Sequence, residues 1–330
     1  MKSKIQRGII IVCVTVFVSA FSIYLFTYST YEEKEDLSYQ KVFQANYKIF
    51  ALNLPNTIEF PGEKVPMNLI DVREKLDREL HVNTYWQSNT LLFIKRLNRW
   101  FPIIEKILLE ENVPNDFKYL ALIESGLTQV VSPAGAAGFW QIMKKTAPEF
   151  GLEVTSEVDE RYHVEKSTHA ACLYLKEAKE KFGSWTLAAA SYNIGQSGLQ
   201  RQLNKQEVNS YYDLLLNSET SRYLFRILAA KHILSNANQF GFNFRPKDLY
   251  PAITYKTIVT DSSISSFTEF AAQNGINYKV LKYLNPWLRS KELTNSKRKN
   301  YEIRIPDEKF INQLQTQLPL TELDTSEIKN

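Results

Sequence analysis

The chain has 330 residues, of which 44% are hydrophobic, so it is long enough for two domains or for one large domain with appendages. Its 40 basic and 36 acidic residues leave a net charge of +4, which lacks the basic field of a nucleic-acid-binding protein and excludes that class. Cys13 lies in an apolar stretch and cannot pair with Cys172, so no disulfide framework is expected. Cys172 is predicted to pack as a small apolar side chain.

An uncharged and mostly apolar stretch covers residues 8–30. About 21 helical residues reach about 30 Å, the thickness of a bilayer core. Basic residues before this stretch and acidic residues after it favour an N-terminus inside and the bulk of the chain outside. We therefore expect residues 1–30 to form an inner-membrane anchor. A cleaved signal peptide ending at Val18-Ser-Ala20 is the alternative.

Residues 31–100 form the next region. Its first part, to about residue 75, contains several prolines and little periodicity, and is predicted to be an irregular arm. Residues 71–100 are amphipathic, which predicts a helical extension. Pro102 is predicted to open a further helix that runs to about Glu110.

From residue 113 to about 240 the chain is predicted to form successive helices with short breaks. Helical periodicity covers residues 142–150, 165–182, 185–193, 211–217 and 219–238. Seven of the eleven glycines lie between Gly126 and Gly198. Because glycine suits positive φ and close backbone approach, this clustering predicts a cleft built from turns.

The composition changes beyond residue 244. Residues 253–260 and 301–305 alternate in the manner of strands, and residues 267–272 and 278–284 have the pattern of short helices. This β-α-α-β order predicts a small separate module at 251–306. A polar tail, 307–330, follows.

Residues 116–127 contain the strongest candidate for chemistry. Their apolar positions recur at three- to four-residue spacing and predict one face of a short helix: Phe117, Leu120, Ile123 and Leu127. Glu124 then lies in the last turn, where free carbonyls and apolar neighbours disfavour a carboxylate and raise its pKa. A carboxylic acid that stays protonated near neutral pH can act as a general acid. Taken alone, the pattern also fits a surface glutamate at a helix end.

Three motifs follow Glu124-Ser125 in order: Ser132-Pro-Ala-Gly-Ala-Ala-Gly-Phe-Trp-Gln-Ile142, Ala190-Ser-Tyr-Asn-Ile-Gly195 and Glu219-Thr-Ser-Arg-Tyr-Leu-Phe-Arg-Ile-Leu-Ala229. Together they resemble the lytic transglycosylase domain of the soluble-transglycosylase, goose-lysozyme-like group, and within it the membrane-bound lytic murein transglycosylase D subgroup. The resemblance covers about residues 100–240. It implies a mainly α protein whose lysozyme-like (α+β superfamily) catalytic domain, 101–245, carries an N-terminal helical extension.

The resemblance also implies a role for each matching residue. Glu124 matches the catalytic acid and base. The residues implied to line the sugar cleft and bind substrate are Ser125, Ser132, Gln141, Tyr192, Asn193 and Tyr223. Tyr192 is expected to contact Glu124, and Asn193 to help hold the substrate. Phe139-Trp140 replaces the family's Leu-Met, and Ser191 replaces its Ala.

Ordinary glycosidases need two carboxylates, whereas one suffices if the substrate supplies its own nucleophiles. By resemblance, Glu124 protonates the glycosidic oxygen between N-acetylmuramic acid and N-acetylglucosamine, and the N-acetyl group stabilises the developing cation. Glu124 then takes the proton from the sugar's 6-hydroxyl, which closes a 1,6-anhydro ring. The resemblance implies no metal and no cofactor. The four histidines lack metal-ligand spacing and are predicted to be structural or exposed: His81, His163, His169 and His232.

Several neighbouring side chains have plainer interpretations. Arg222 is predicted to form a structural salt bridge or cap. The nearby acidic residues are predicted to be solvated, with one of them available as a second carboxylate: Glu149, Asp159, Glu160 and Glu165. Trp140, Met143 and Phe150 are predicted to be core or cleft wall, with core favoured for Met143 and Phe150.

The 251–306 module resembles a peptidoglycan-binding LysM domain through its element order, Leu284-Asn-Pro-Trp287 and the final Ile305-Pro306. Asp261-Ser-Ser-Ile264 stands where that domain has Gly-Asp-Thr. Glycan binding and packing beside the catalytic domain are both open for this degenerate module. We expect an enzyme of the bacterial cell envelope that acts on peptidoglycan glycan strands in the periplasm. A goose-type hydrolase and a non-catalytic glycan-binding protein are the alternatives.

Overall fold

The computed structural model of the protein describes residues 15–17, 19–21, 34, 36–39, 41–42, 49–308 and 310. The chain divides into two units, 1–51 and 52–330. In the first unit the described segments are helical apart from residues 49–51, and the rings of Phe17 and Phe21 stack 6.5 Å apart. No helix among the described residues is both long and apolar enough to cross a bilayer. Most of the predicted anchor (1–30) and of the polar tail (307–330) lies outside the described residues.

The second unit starts with a hairpin, β1 (Glu59–Phe60) and β2 (Glu63–Lys64), paired antiparallel. Phe60 is completely buried, and its ring meets that of Phe117 edge to face with the centroids 5.3 Å apart. The prediction of an irregular arm to about residue 75 is therefore wrong in part, because this segment belongs to the core. Helix α1 (Ile70–Tyr85) follows.

Helix α2 (Gln87–Glu110) runs through Pro102 without a break, so the predicted helix start at Pro102 is wrong. A proline inside a helix removes the hydrogen bond to the carbonyl four residues earlier, here that of Asn98. Both residues are exposed, so water can take the place of the lost donor. On the opposite side, Phe101 and Ile104 are buried and hold the helix against the core.

Five further helices build the body of this unit: α3 (Lys118–Ser125), α4 (Val164–Phe182), α5 (Trp185–Ile194), α6 (Gln196–Gln206) and α7 (Thr220–Ser235). They confirm the helices predicted at 165–182 and 185–193 and most of the one at 219–238. The helices predicted at 142–150 and 211–217 contract to single turns, Ala147–Phe150 and Tyr211–Asp213. Helix α6 escaped prediction because its sequence is almost wholly polar and buries only Gly198, Leu199 and Leu203.

Helix α7 is the central element of the packing. It lies against α1, α3 and α5, while α4 packs between α2 and α5. A run of its residues is almost completely buried in the core: Tyr223, Leu224, Phe225, Ile227, Leu228 and Ala229. The face of α7 that packs against α3 therefore places side chains about 100 residues away in the sequence beside Glu124.

The C-terminal module has the predicted order of strand, two helices and strand. Strands β3 (Tyr255–Thr260) and β4 (Tyr301–Pro306) pair antiparallel, with Ile258 opposite Ile303. Between them lie α8 (Phe267–Gln273) and α9 (Tyr278–Leu284). The side chains of Ser266 and Asn277 accept hydrogen bonds from the first turns of these helices, which is the usual preference at an N-cap. The fold is thus mainly α with a small antiparallel sheet near its end.

Candidate active site

The helix that carries Glu124 is short and firmly anchored. Leu120, Ala121 and Leu122 are fully buried, and Gly126 ends α3 in the left-handed region with a φ of 62°. The amide of Gly126 donates to the carbonyl of Leu122 at 2.8 Å. Glu124 therefore occupies the last turn, as the sequence predicts, and its side chain is half-buried.

The groups around Glu124 have opposite effects on the pKa of its carboxyl. Desolvation raises the pKa of this carboxyl, whereas a hydrogen bond from the hydroxyl of Tyr223 and the charge of Arg226 lower it, and the charge of Glu219 raises it again. The net result is a raised pKa. Burial is the leading cause, because a charged group loses hydration there. The site thus favours the protonated acid while keeping a donor on its Oε1 atom.

The two tyrosines implied by the resemblance, Tyr192 and Tyr223, have different hydrogen-bond acceptors. Tyr223 donates to Glu124, and burial together with the negative charge of Glu124 raises the pKa of Tyr223 far above its usual value. Tyr192, which the resemblance implied would contact Glu124, donates to the carbonyl of Trp140 at 2.7 Å. Burial and then the charge of Glu124 raise the pKa of Tyr192 as well, so it lies near the carboxyl without bonding to it.

The turn at residues 132–142, here called the glycine-rich turn, forms one part of the site. The hydroxyl of Ser132 accepts from the amide of Ala136 at 3.0 Å. Gln141 has a φ of 47°, an uncommon region for a residue with a Cβ. The side-chain nitrogen Nε2 of Gln141 donates to the carbonyls of Gly138 at 2.8 Å and Val130 at 3.1 Å. Its side-chain oxygen Oε1 has no hydrogen-bond partner among the described residues and can accept from a ligand.

Ser125 and Asn193 complete the set of predicted residues. The hydroxyl of Ser125 donates to the carbonyl of Phe139 at 2.9 Å, which ties α3 to the glycine-rich turn. The amide oxygen of Asn193 accepts from Thr220 at 2.8 Å. The geometry gives Ser125 a structural bond, while the amide nitrogen of Asn193 has no partner among the described residues.

Two arginines at the site went unpredicted. Arg226 donates to the carbonyl of Ile123 at 2.9 Å; its position three residues after Tyr223 on α7 is the only sequence signal for it. Arg161 is buried, is paired with Asp159 at 2.7 Å, and donates to two carbonyls of the glycine-rich turn. Nothing in the sequence indicates that Arg161 supports the turn, because the two carbonyls that it binds there lie 26 and 19 residues away along the chain.

The acidic residues near the site are not all solvated, so that prediction is wrong for three of the four. Asp159 and Glu160 are buried and paired with Arg161 and Lys166, and Glu165 pairs with Arg304 at 2.6 Å. Desolvation raises the pKa of Glu165, but His163 and Arg304 outweigh it and hold the value at about 2. Glu149 is exposed, as predicted.

The remaining predictions divide. Arg222 forms the predicted salt bridge, with Glu79 at 3.1 Å. Trp140 is fully buried and donates to Thr168, whereas Met143 is 42% exposed and not core. Cys172 is fully buried, and burial raises its pKa to about 12. Among the described residues no group of histidine, cysteine and acidic side chains could hold a metal ion.

Two stretches of the second unit match known protein families. Residues 101–214 match the family described as the transglycosylase SLT domain. Residues 256–309 match the family described as the soluble lytic transglycosylase C-terminal LysM-like domain.

Three similar proteins match between 44% and 71% of the chain. Membrane-bound lytic murein transglycosylase D of Escherichia coli strain K12 is 27% identical over 243 residues, which are 71% of this chain and 52% of that protein. The same protein from E. coli O6:H1 strain CFT073 gives the same figures. A protein of Alteromonas sp. strain M-1, named for tributyltin chloride resistance, is 25% identical over 146 residues, 44% of this chain and 68% of that protein. The chain thus spans about half the length of the first two relatives.

Proposed function

We propose that this chain, which carries a transglycosylase SLT domain and a LysM-like C-terminal domain, is a lytic transglycosylase acting on peptidoglycan glycan strands. The observation that carries the proposal is a single carboxyl, Glu124, with a raised pKa and a tyrosine hydroxyl on one oxygen. The names of the two E. coli relatives agree with this class of reaction.

The proposed reaction uses Glu124 twice. The protonated carboxyl gives its proton to the glycosidic oxygen between N-acetylmuramic acid and N-acetylglucosamine, and the bond from that oxygen to C1 of N-acetylmuramic acid breaks. The N-acetyl oxygen of the same sugar stabilises the cation at C1. The Glu124 carboxylate then takes the proton of the 6-hydroxyl, whose oxygen bonds to C1 and closes the 1,6-anhydro ring. Glu124 ends protonated, and no water is consumed.

The surroundings of Glu124 suit both halves of this cycle. Desolvation favours the acid that the first step needs, whereas the Tyr223 hydroxyl and the Arg226 charge stabilise the carboxylate that the first step leaves. The side-chain carbonyl of Gln141 and the side-chain amide nitrogen of Asn193, which have no partner in the described part of the chain, fit sugar hydroxyl and acetamido partners. Tyr192 and Ser125 hold the glycine-rich turn in place between them.

We place the enzyme in the bacterial cell envelope, anchored to the inner membrane by residues 1–30 with its catalytic domain in the periplasm. The support for the anchor is the uncharged apolar stretch at residues 8–30 and the charges on either side of it. A cleaved signal peptide stays the alternative.

The test is mass spectrometry of purified sacculi digested by the full chain, beside a Glu124→Gln control. We expect fragments ending in 1,6-anhydro-N-acetylmuramic acid that are absent with the control. No products from either protein would overturn the proposal and leave glycan binding without catalysis.

Hydrolysis is the second candidate, and one observation favours it: the charge of Glu219 reaches Glu124 and raises its pKa. A second carboxylate near Glu124 could activate water, as in inverting glycosidases. Products heavier by one water that disappear with Glu219→Gln would establish this reaction instead.

A further inference from the structure

The C-terminal module packs against residues 153–165 of the catalytic domain, here called the docking segment, and Tyr283 of its helix α9 also accepts a hydrogen bond from Arg99 at 3.0 Å. Val158 and Leu288 form an antiparallel bridge. Beside it, the amide of Asp159 donates to the carbonyl of Trp287 at 2.9 Å, and the amide of Arg289 donates to the carbonyl of Glu157 at 2.7 Å. These backbone bonds fix the module in register against the segment.

Side chains reinforce the same contact. The guanidinium of Arg289 stands 4.2 Å from the centre of the Tyr162 ring, and Arg304 donates to Glu165 at 2.6 Å. The module's own core runs on into the catalytic domain, since the following residues belong to one buried apolar cluster: Ala137, Val158, Tyr162, Phe267, Leu281 and Leu288. A tethered module with a separate function needs no shared core, because domains joined only by a linker move independently.

The docking segment in turn supports the glycine-rich turn. Arg161 donates to the carbonyl of Gly135 at 2.9 Å and to that of Ile142 at 3.1 Å. The carbonyl oxygen of Arg161 lies so close to Gly138 that a Cβ there would stand 1.9 Å away. The buried Arg161 guanidinium therefore holds the turn at Gly135 and Ile142, and the backbone of Arg161 packs closely against Gly138.

Two hydroxyls tie the glycine-rich turn to its neighbours, that of Ser125 on α3, the helix of Glu124, and that of Tyr192 on α5. Ser125 donates to the carbonyl of Phe139, and Tyr192 donates to that of Trp140. Gln141, the next residue, is held in its left-handed conformation by the same turn. The chain of contacts is therefore continuous from the module to the residues around Glu124.

We infer that the C-terminal module is a structural part of the active site, with Leu288 and Arg289 as positioning residues that set the glycine-rich turn and thereby Gln141. The catalytic consequence rests on the proposed function, whereas the mechanical link does not. A chain of contacts shows coupling only if a change at the module alters the glycine-rich turn, so the test measures the turn directly.

The experiment compares the full chain with a Leu288→Ala/Arg289→Ala double variant by hydrogen exchange and by sacculus digestion. We expect exchange in residues 132–142 to quicken at least about tenfold, since local opening becomes easier when packing is lost. We expect kcat to fall about tenfold while the pH profile keeps its shape, because the groups that tune Glu124 are untouched. Val259→Ala, at a 62% exposed position on β3, is the matched control and should change neither.

Hydrogen exchange across β3 and β4 shows whether the double variant unfolds the module. A second pair of variants covers that case. Arg304→Gln removes the ion pair with Glu165, whereas Arg304→Lys keeps a cation there. We expect the first to quicken exchange in residues 132–142 and the second to restore it in part.

Unchanged exchange in residues 132–142 in both the double variant and Arg304→Gln, with turnover equal to that of Val259→Ala, would overturn the inference. If the unaltered protein releases no product, the proposed function fails by itself. The exchange comparison then still decides whether the module supports the turn.

Discussion

Gly138 gives the most direct test of the site's geometry. An alanine there would put its Cβ 1.9 Å from the carbonyl oxygen of Arg161, where ordinary contacts begin near 3.4 Å. The turn and the docking segment would have to separate by about 1.5 Å. The residue also has a φ of 78°, which an L side chain tolerates poorly.

A matched control separates the backbone and packing contributions to the expected loss of stability. Left-handed backbone costs a residue with a Cβ about 1–2 kcal/mol, and overpacking adds about 1–3 kcal/mol, so Gly138→Ala should lower the free energy of unfolding by about 2–5 kcal/mol. Gly151→Ala has nearly the same φ, 81°, with nothing within 4 Å of the new Cβ, and should lose only the first part. The difference between the variants isolates the collision with Arg161.

Urea unfolding of the two variants and the unaltered chain measures these free energies, and sacculus digestion measures activity. Because Gln141 moves with the turn, Gly138→Ala should lose about a hundredfold in rate, while Gly151→Ala stays active. Equal stability of the two variants, within about 0.5 kcal/mol, would refute the close approach of Gly138 to Arg161.

Three further predictions concern the groups that set the pKa values of Glu124 and Glu165. Tyr223→Phe removes the hydroxyl bonded to Glu124 and should cut kcat about 10- to 100-fold, since a hydrogen bond to a charged group contributes about 1.5–3 kcal/mol. The alkaline limb of the variant's pH–rate profile should shift to higher pH, because the lost bond lowers the pKa of Glu124. An unmoved limb would count against Glu124 as the group that titrates there. Arg226→Gln should shift the limb the same way, whereas Arg222→Gln, whose cation pairs with Glu79, should leave it in place; pH–rate profiles of both decide this. The pKa of Glu165 falls from 4.5 unfolded to about 2 folded, so its stabilisation is complete above pH 4.5 and lost towards pH 2. Glu165→Gln should flatten that loss in urea titrations, and a curve as steep as that of the unaltered chain would contradict the lowered pKa.

Local patterns in the sequence were sufficient for much of the fold. Helices at 165–182 and 185–193 and the β-α-α-β module follow from periodicities of 3.6 and 2, which are properties of neighbouring residues. The position of Glu124 in the last turn of its helix follows from Gly126 in the same way. Pro102 and α6 defied these rules, since packing on one face held α2 together and α6 buries few side chains.

The motifs of the sequence named the residues of the site but not their contacts. That Tyr223 rather than Tyr192 bonds to Glu124 depends on how α7 lies against α3, which are 99 residues apart at that bond. Arg161 acts on backbone carbonyls, which every residue carries, so no side-chain pattern could single them out. The docking of the C-terminal module is likewise a matter of shape and register between distant surfaces. Sequence by itself determined most of the elements and the candidate carboxyl, Glu124, whereas tertiary packing alone decided which groups surround that carboxyl, because those contacts join residues that no local period relates.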